Sequence, residues 1–409
     1  MSSKQQPMPS TVPSHRWVGT LALFVAALTL SAGPAFATTQ YTYDNLNRLT
    51  KVQYDNGSSI TYTYDAAGNL LSMVSTGSAP LADGKVPHTG ITANQCYAAG
   101  SNALVACNSS GALALNGQQD GHRAGINAMS YSQVGNYSKE ECVQDAVTGL
   151  VWEGKTSSGL RAGSQRYTNI GDGRVGDASA YVDAVNATRL CGFSDWRLPT
   201  VFELQGLVNY GIASPGPTID TIWFPNTTNA LYWTAEASAQ LSSLAWYVYF
   251  DYGSSSWSGR SSTYAVRLVR TDGAQAQYSY NAGGDEVTDL RTGLVWRRCV
   301  EGMRWNGATC VDSPLSFTHE AAFAHARTQH GWRVPNVKEL SSLTDRSRLS
   351  PALDVNAFPA TPDRTYWTAT PLVGNSADAW IVRADVGAVF NATGRSPASG
   401  LGLRLVKLR

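Results

Sequence analysis

Charge is scarce in this chain. Asp, Glu, Lys and Arg make up 15% of its 409 residues and nearly cancel, leaving a formal net charge of +1. No field of one sign draws it to nucleic acid or to an anionic membrane, so neither is expected as a partner. Long apolar runs are missing too. The stretch Leu21 to Leu30 is too short for a stable bilayer span, and the chain is not expected to cross a membrane. Catalytic signatures are absent: there is no G-x-S-x-G, H-E-x-x-H or Walker sequence. No C-x-x-C occurs, and His319, His325 and His330 are spaced so that they cannot share one helix face. An enzyme, a metal site and a cofactor are therefore not expected.

What is present is Gly, Ser, Trp and Tyr, the profile of a β- and loop-rich extracellular protein. Lys4, His15 and Arg16 precede the apolar run, and Ala35-Phe-Ala37 follows it. That order is a secretory signal peptide over residues 1–37, cleaved after Ala37, which sends the protein to the periplasm, the cell surface or the medium. Export permits disulfides, and the remaining chain has six cysteines.

The chain repeats itself. Asp195-Trp-Arg-Leu-Pro-Thr-Val-Phe-Glu-Leu204 returns as Gly331-Trp-Arg-Val-Pro-Asn-Val-Lys-Glu-Leu340. The proline biases the residue before it toward extended backbone. Thr200 and Asn336 then cap helices, with Glu203 and Glu339 reaching back as capping boxes. Three more blocks recur in order: Thr148-Gly-Leu-Val-Trp152 as Thr292-Gly-Leu-Val-Trp296, Tyr232-Trp-Thr-Ala235 as Tyr366-Trp-Thr-Ala369, and Val266-Arg-Leu-Val269 as Leu403-Arg-Leu-Val406. Helical stretches precede the central motif at Ala178 to Leu190 and His319 to Thr328. Copy one spans about 142–273 and copy two about 285–409, and the fold class expected is α+β in tandem. An irregular lead-in, 79–141, comes before them.

The repeat also bears on the disulfides. Cys142 and Cys191 align with Glu286 and Arg327, so both are lost together in copy two, as a bonded pair would be. Cys96 with Cys107, and Cys299 with Cys310, each enclose a short loop. Those three pairings are expected.

Residues 38–78 carry a smaller repeat, Tyr41-Thr-Tyr-Asp44 and Tyr62-Thr-Tyr-Asp65, around the turn Asp55-Asn-Gly-Ser58. Asn-Gly between alternating apolar residues predicts a β-hairpin. This segment resembles the YD repeat of the RHS and teneurin families. The four repeated blocks resemble the Lcl C-terminal domain family of bacterial surface proteins, as does the insert Arg298 to Cys310. That resemblance implies a C-type-lectin-like fold and a surface adhesin role, with binding to sulfated glycosaminoglycans known in the name-giving member. The calcium loops of C-type lectins, E-P-N or Q-P-D with W-N-D, are missing. Calcium is thus not expected either.

Sugars without metal need aromatic faces and hydrogen-bonding groups. Along 245–260, Trp246, Val248 and Phe250 alternate with Tyr247, Tyr249 and Asp251. The first set reads as core. The second, with Tyr252, Trp257 and Arg260 in the following loop, is the candidate glycan face. Copy two lacks those tyrosines but offers Arg383, Asp385 and Arg395, and is richer in Arg, which suits sulfated or acidic polysaccharide. The partner expected is a surface glycan or another surface macromolecule. A structural piece of an envelope or YD-repeat assembly is the alternative. Oligomeric state is left open.

Overall fold

The structure, a computed structural model, describes residues 40–46, 48–53, 59–65, 68, 70–76, 86–270, 277–392 and 394–408. The expected signal peptide, 1–37, and the expected turn at 55–58 lie outside them. The chain divides into two units, Met1–Ala79 and Pro80–Arg409.

The first unit is a four-stranded antiparallel meander: β1 (Gln40–Tyr43), β2 (Leu49–Gln53), β3 (Ser59–Tyr64) and β4 (Leu70–Thr76). Asp44 makes its first turn. Its carboxylate accepts the amides of Leu46 and Arg48 at 2.9 Å and the Arg48 guanidinium at 2.7 Å. The expected hairpin is there as β2–β3, in the register Val52 to Ile60. It is not a bare hairpin, however, because β1 and β4 pair on its two edges. Two strands alone are marginal in water, and the outer strands supply the missing pairing.

The second unit begins with the lead-in: β5 (Cys96–Tyr97), β6 (Leu104–Val105), α1 (Ser110–Leu115) and a 3-10 turn at Asp120–Arg123. Copy one follows as β7 (Tyr131–Gln133), β8 (Cys142–Asp145), β9 (Val151–Glu153), α2 (Ala178–Ala187), α3 (Val201–Gly206), β10 (Leu231–Ala237), β11 (Leu244–Tyr249), β12 (Ser254–Gly259) and β13 (Val269–Arg270). Copy two repeats the order as β14 (Tyr278–Tyr280), β15 (Glu286–Asp289), β16 (Leu294–Arg297), the insert strands β17 (Arg304–Trp305) and β18 (Cys310–Val311), α4 (His319–Thr328), α5 (Val337–Ser342), β19 (Thr365–Pro371), β20 (Ala379–Arg383), β21 (Val389–Ala392) and β22 (Val406–Leu408). Helix is confined to short segments, so α+β fits loosely; small sheets with few helices is the closer description.

Each copy closes its first strands with its last, in the orders β13-β9-β8-β7 and β14-β15-β16-β22. The other strands do something the repeat does not announce. They join into one six-stranded sheet, β10-β11-β12-β21-β20-β19, through the pair Ser255 and Val389. The Val389 amide donates to Ser255 Oγ at 3.1 Å across this seam. One apolar core runs through both copies, from Leu204, Leu207 and Trp246 to Leu340, Leu343 and Trp380. The repeated tryptophans Trp152, Trp233, Trp246, Trp296, Trp367 and Trp380 are all fully buried. Helices α3 and α5 meet under the sheet, where Ser341 Oγ donates to Gln205 Oε1 at 2.8 Å. The exchange across the pseudo-symmetry is reciprocal. Tyr210 packs edge-on against Trp380 at 4.9 Å, and Arg346 lies 5.2 Å over Trp246.

The three expected disulfides are present, Cys96–Cys107, Cys142–Cys191 and Cys299–Cys310. Both capping boxes are also present. Thr200 Oγ1 accepts the Glu203 amide at 3.2 Å and Asn336 Oδ1 the Glu339 amide at 2.9 Å, with each glutamate returning to the cap amide at 2.8 Å. The helices end sooner than their apolar spacing suggests, at Gly206 and Ser342. Thr200→Ala should lower the unfolding free energy by about 1 kcal/mol in urea titration, by orphaning the Glu203 amide. An unchanged midpoint would show that the cap is redundant.

Candidate binding cleft

Between the copies lies an open cleft of about 970 Å³. Copy one builds one wall from its central motif and the end of β10: Arg197, Thr200, Phe202, Glu203 and Glu236. Copy two builds the other from Tyr278, Arg291 and the turn after α5, Asp345 to Ser347. Arg197 holds Glu203 with two parallel bonds of 2.9 and 2.7 Å, yet keeps 37% of its side chain exposed. Arg291 lies 4.4 Å over the Phe202 ring. Glu236 Oε2 accepts the amide of Val201 at 2.5 Å. Arg346 is buried, which lowers the pKa of its guanidinium, while nearby Glu236 pulls it up. Its Nε has no hydrogen-bond partner among the described residues.

A repeat with this symmetry requires a second cleft. Thr148, Leu150, Thr200 and Glu203 of the open one correspond to Thr292, Leu294, Asn336 and Glu339. These four do line a common cavity, but of only about 20 Å³. The lead-in fills the rest, through Val86, His88, Arg123, Ile126 and Asn127. Within residues 86–91 the main chain is gripped at His88 and Thr89. The Tyr210 amide donates to Thr89 O at 2.7 Å, and Lys338 Nζ donates to His88 O at 2.9 Å and to Gly206 O at 2.7 Å. Burial pushes Lys338 down to about 7, against the pull of Asp145 and Asp120. Gly90 has φ +86°, and a Cβ there would collide with the Asn209 side chain. Asp120 closes the seal. Its Oδ2 accepts from Thr370 Oγ1 at 2.7 Å and Thr89 Oγ1 at 2.8 Å, and His88 Nε2 stands 3.1 Å from Oδ1. Burial works against both charges; their mutual attraction nevertheless holds Asp120 below and His88 above the usual values. In this covered cleft the pair Arg333–Glu339, bonded at 2.6 and 2.7 Å, is almost wholly buried.

The residues picked from sequence as a glycan face do not come together. Trp246, Val248 and Phe250 are core, as expected. Trp257 is not in a loop beside the tyrosines. It stands on β12 directly opposite Trp246, with the rings edge-on at 5.2 Å. Opposed residues of paired strands share a face, so Trp257 belongs to the core side. Tyr247 is half-buried against Tyr264 at 5.6 Å. Asp251 takes the Gly216 amide at 3.1 Å and Ser214 Oγ at 3.3 Å. Arg260 Nε donates to Asn169 O at 2.5 Å. Arg383 and Asp385 bond each other. Arg395 is only 5% exposed, so it cannot meet a polymer. Its guanidinium holds the lead-in through Ser101 O and Asn102 Oδ1 at 2.8 Å and covers the Tyr97 ring at 3.7 Å. Of these aromatics, the pair most open to solvent is Tyr249–Tyr252, 5.6 Å apart, with Tyr252 47% exposed; the Arg383 side chain is also 41% exposed but is engaged with Asp385.

The cleft residues were not singled out from sequence. A signal for them existed in two positions where the copies differ in chemical character, Phe202 against Lys338 and Glu236 against Thr370. The trio Cys96, Cys107 and His122 has donor atoms close enough for a metal, but both sulfurs are spent in a disulfide. Among the described residues, no helix is long and apolar enough to cross a membrane.

Two disulfide-stapled copies of one strand-and-helix unit, fused through a single sheet, define a tandem β-rich module consistent with an exported protein. The chain belongs to the Lcl C-terminal domain family, which matches residues 141–270 and again 285–407. Residues 43–79 match the RHS repeat. No curated protein matches the chain significantly.

Proposed function

We propose that this is an exported, non-enzymatic recognition module of a bacterial surface, adhesin-like, which binds a surface macromolecule in the open cleft between its copies. Each copy is read as C-type-lectin-like, and the leader as cleaved after Ala37. The observation that carries the proposal is the pair of equivalent clefts: one about 970 Å³ and open, the other sealed down to about 20 Å³ by the chain itself. A cleft of the open one's size, with aromatic and charged walls, is what a ligand site needs.

Ala237 is exposed at the cleft wall, where a tryptophan would fill the space without entering the core. The mature protein with Ala237→Trp should lose retention on immobilised surface polysaccharides and proteins by about tenfold or more. Unchanged retention would remove the cleft and favour the structural alternative. The exposed Tyr249–Tyr252 pair supports a second reading, weak glycan stacking. Glycan retention that survives Ala237→Trp but is lost in Tyr249→Ala with Tyr252→Ala would select it.

A further inference from the structure

The sealed cleft displays, in the same molecule, what its open twin is shaped to hold. Its occupant is polypeptide: residues 86–91, laid across the wall with main-chain carbonyls turned to donors. The corresponding donor in the open cleft has no partner among the described residues. Tyr210 corresponds to Arg346. The preceding amides match as well, Asn209 donating to Thr218 O at 2.8 Å and Asp345 to Ala352 O at 2.9 Å. Where the Tyr210 amide meets Thr89 O, the Arg346 amide has no acceptor among the described residues. The Arg346 side chain itself turns inward over Trp246, as Tyr210 turns onto Trp380, so it is the main-chain amide that faces the cleft.

The side chains differ in a way that sets the ligand's character. Lys338, which takes a carbonyl in the sealed cleft, is replaced by Phe202, so an aromatic ring with Arg291 over it stands where a donor to a carbonyl would be. Thr370, which donates to the carboxylate of Asp120, is replaced by Glu236. One Glu236 oxygen accepts the Val201 amide, and the other has no partner among the described residues. An acidic group that suits the sealed cleft would be repelled there, and a basic one attracted.

We infer that the open cleft takes an extended polypeptide segment of a partner protein, laid as residues 86–91 are laid in the twin. An apolar side chain sits against the Phe202 edge beside Arg291, and a Lys or Arg against Glu236. This rests on the cleft being the binding site, as proposed above.

The test pans the mature full-length protein against a phage-displayed library of random peptides and, in parallel, probes it on a glycan array. Enriched peptides should pair a basic with an apolar residue. Their synthetic forms should bind Ala237→Trp at least about tenfold more weakly than wild type. Ser347→Trp, from the opposite wall, serves the same purpose if Ala237→Trp does not fold. Glu236→Gln keeps an acceptor for the Val201 amide, and should cost basic peptides about tenfold while sparing neutral ones. Peptides bound equally well by the blocked variants overturn the inference. An oligosaccharide held by wild type and lost on blocking would keep the cleft as the binding site but overturn its assignment to polypeptide. If neither peptide nor glycan is held, both readings fall.

Discussion

Arg333→Met is expected to lower the unfolding free energy by about 3–5 kcal/mol, and the equivalent Arg197→Met by only about 1 kcal/mol. The two arginines hold glutamates in the same motif with the same two-bond geometry. They differ in what covers them. Arg333 keeps 1% of its side chain exposed and Arg197 keeps 37%. Removing Arg333 strands Glu339 in a sealed cavity. Burial alone would raise that carboxyl, and it is Arg333, Arg123 and the Asn336 amide that hold it low. Removing Arg197 leaves Glu203 beside an open cleft that water can enter. Chemical denaturation of the two variants side by side reads the difference. Equal losses would show that the lead-in does not shield copy two, and would undo the asymmetry on which the candidate site depends.

Replacing Cys142 and Cys191 together by alanine should cost about 4 kcal/mol, and either of the other pairs about 3 kcal/mol. The loops closed are the reason: the sequence separation is 49 for Cys142–Cys191 and 11 for each of the others. A longer loop leaves the unfolded chain more entropy once it is cut. Denaturant titration of the three double variants provides the ranking. A Cys142–Cys191 loss no larger than the rest would mean that chain entropy does not set the ranking.

Local chemistry was legible in the sequence. The capping boxes need only a Thr or Asn and a Glu three residues on, and both helices start where those residues say. The alternation Trp246, Val248, Phe250 identified a core face, because side-chain direction in a strand follows from the backbone alone. The disulfide of copy one followed from two cysteines missing together. What could not be read was pairing between distant segments. Trp257 was misplaced because its side depends on the register of β12 against β11. The seam at Ser255 and Val389 joins residues more than a hundred positions apart, and no local pattern marks it. The lead-in was read as irregular, yet it carries β5, β6, α1 and a 3-10 turn, and its partners Lys338, Thr370 and Tyr210 lie far along the chain. Arg395 was counted as a ligand residue because a lone arginine after a glycine gives no sign that Tyr97 and Asn102 will cover it.

Sealing one of two equivalent clefts has a consequence for valency. A duplicated unit would ordinarily offer two copies of any groove it forms, and a tandem protein would then bridge two ligands. Here residues 86–127 spend one groove internally. Each chain is left effectively monovalent for whatever the other groove accepts. Tight attachment to a surface would then have to come from many chains displayed together, where each further contact forms at the high effective concentration set by its neighbours.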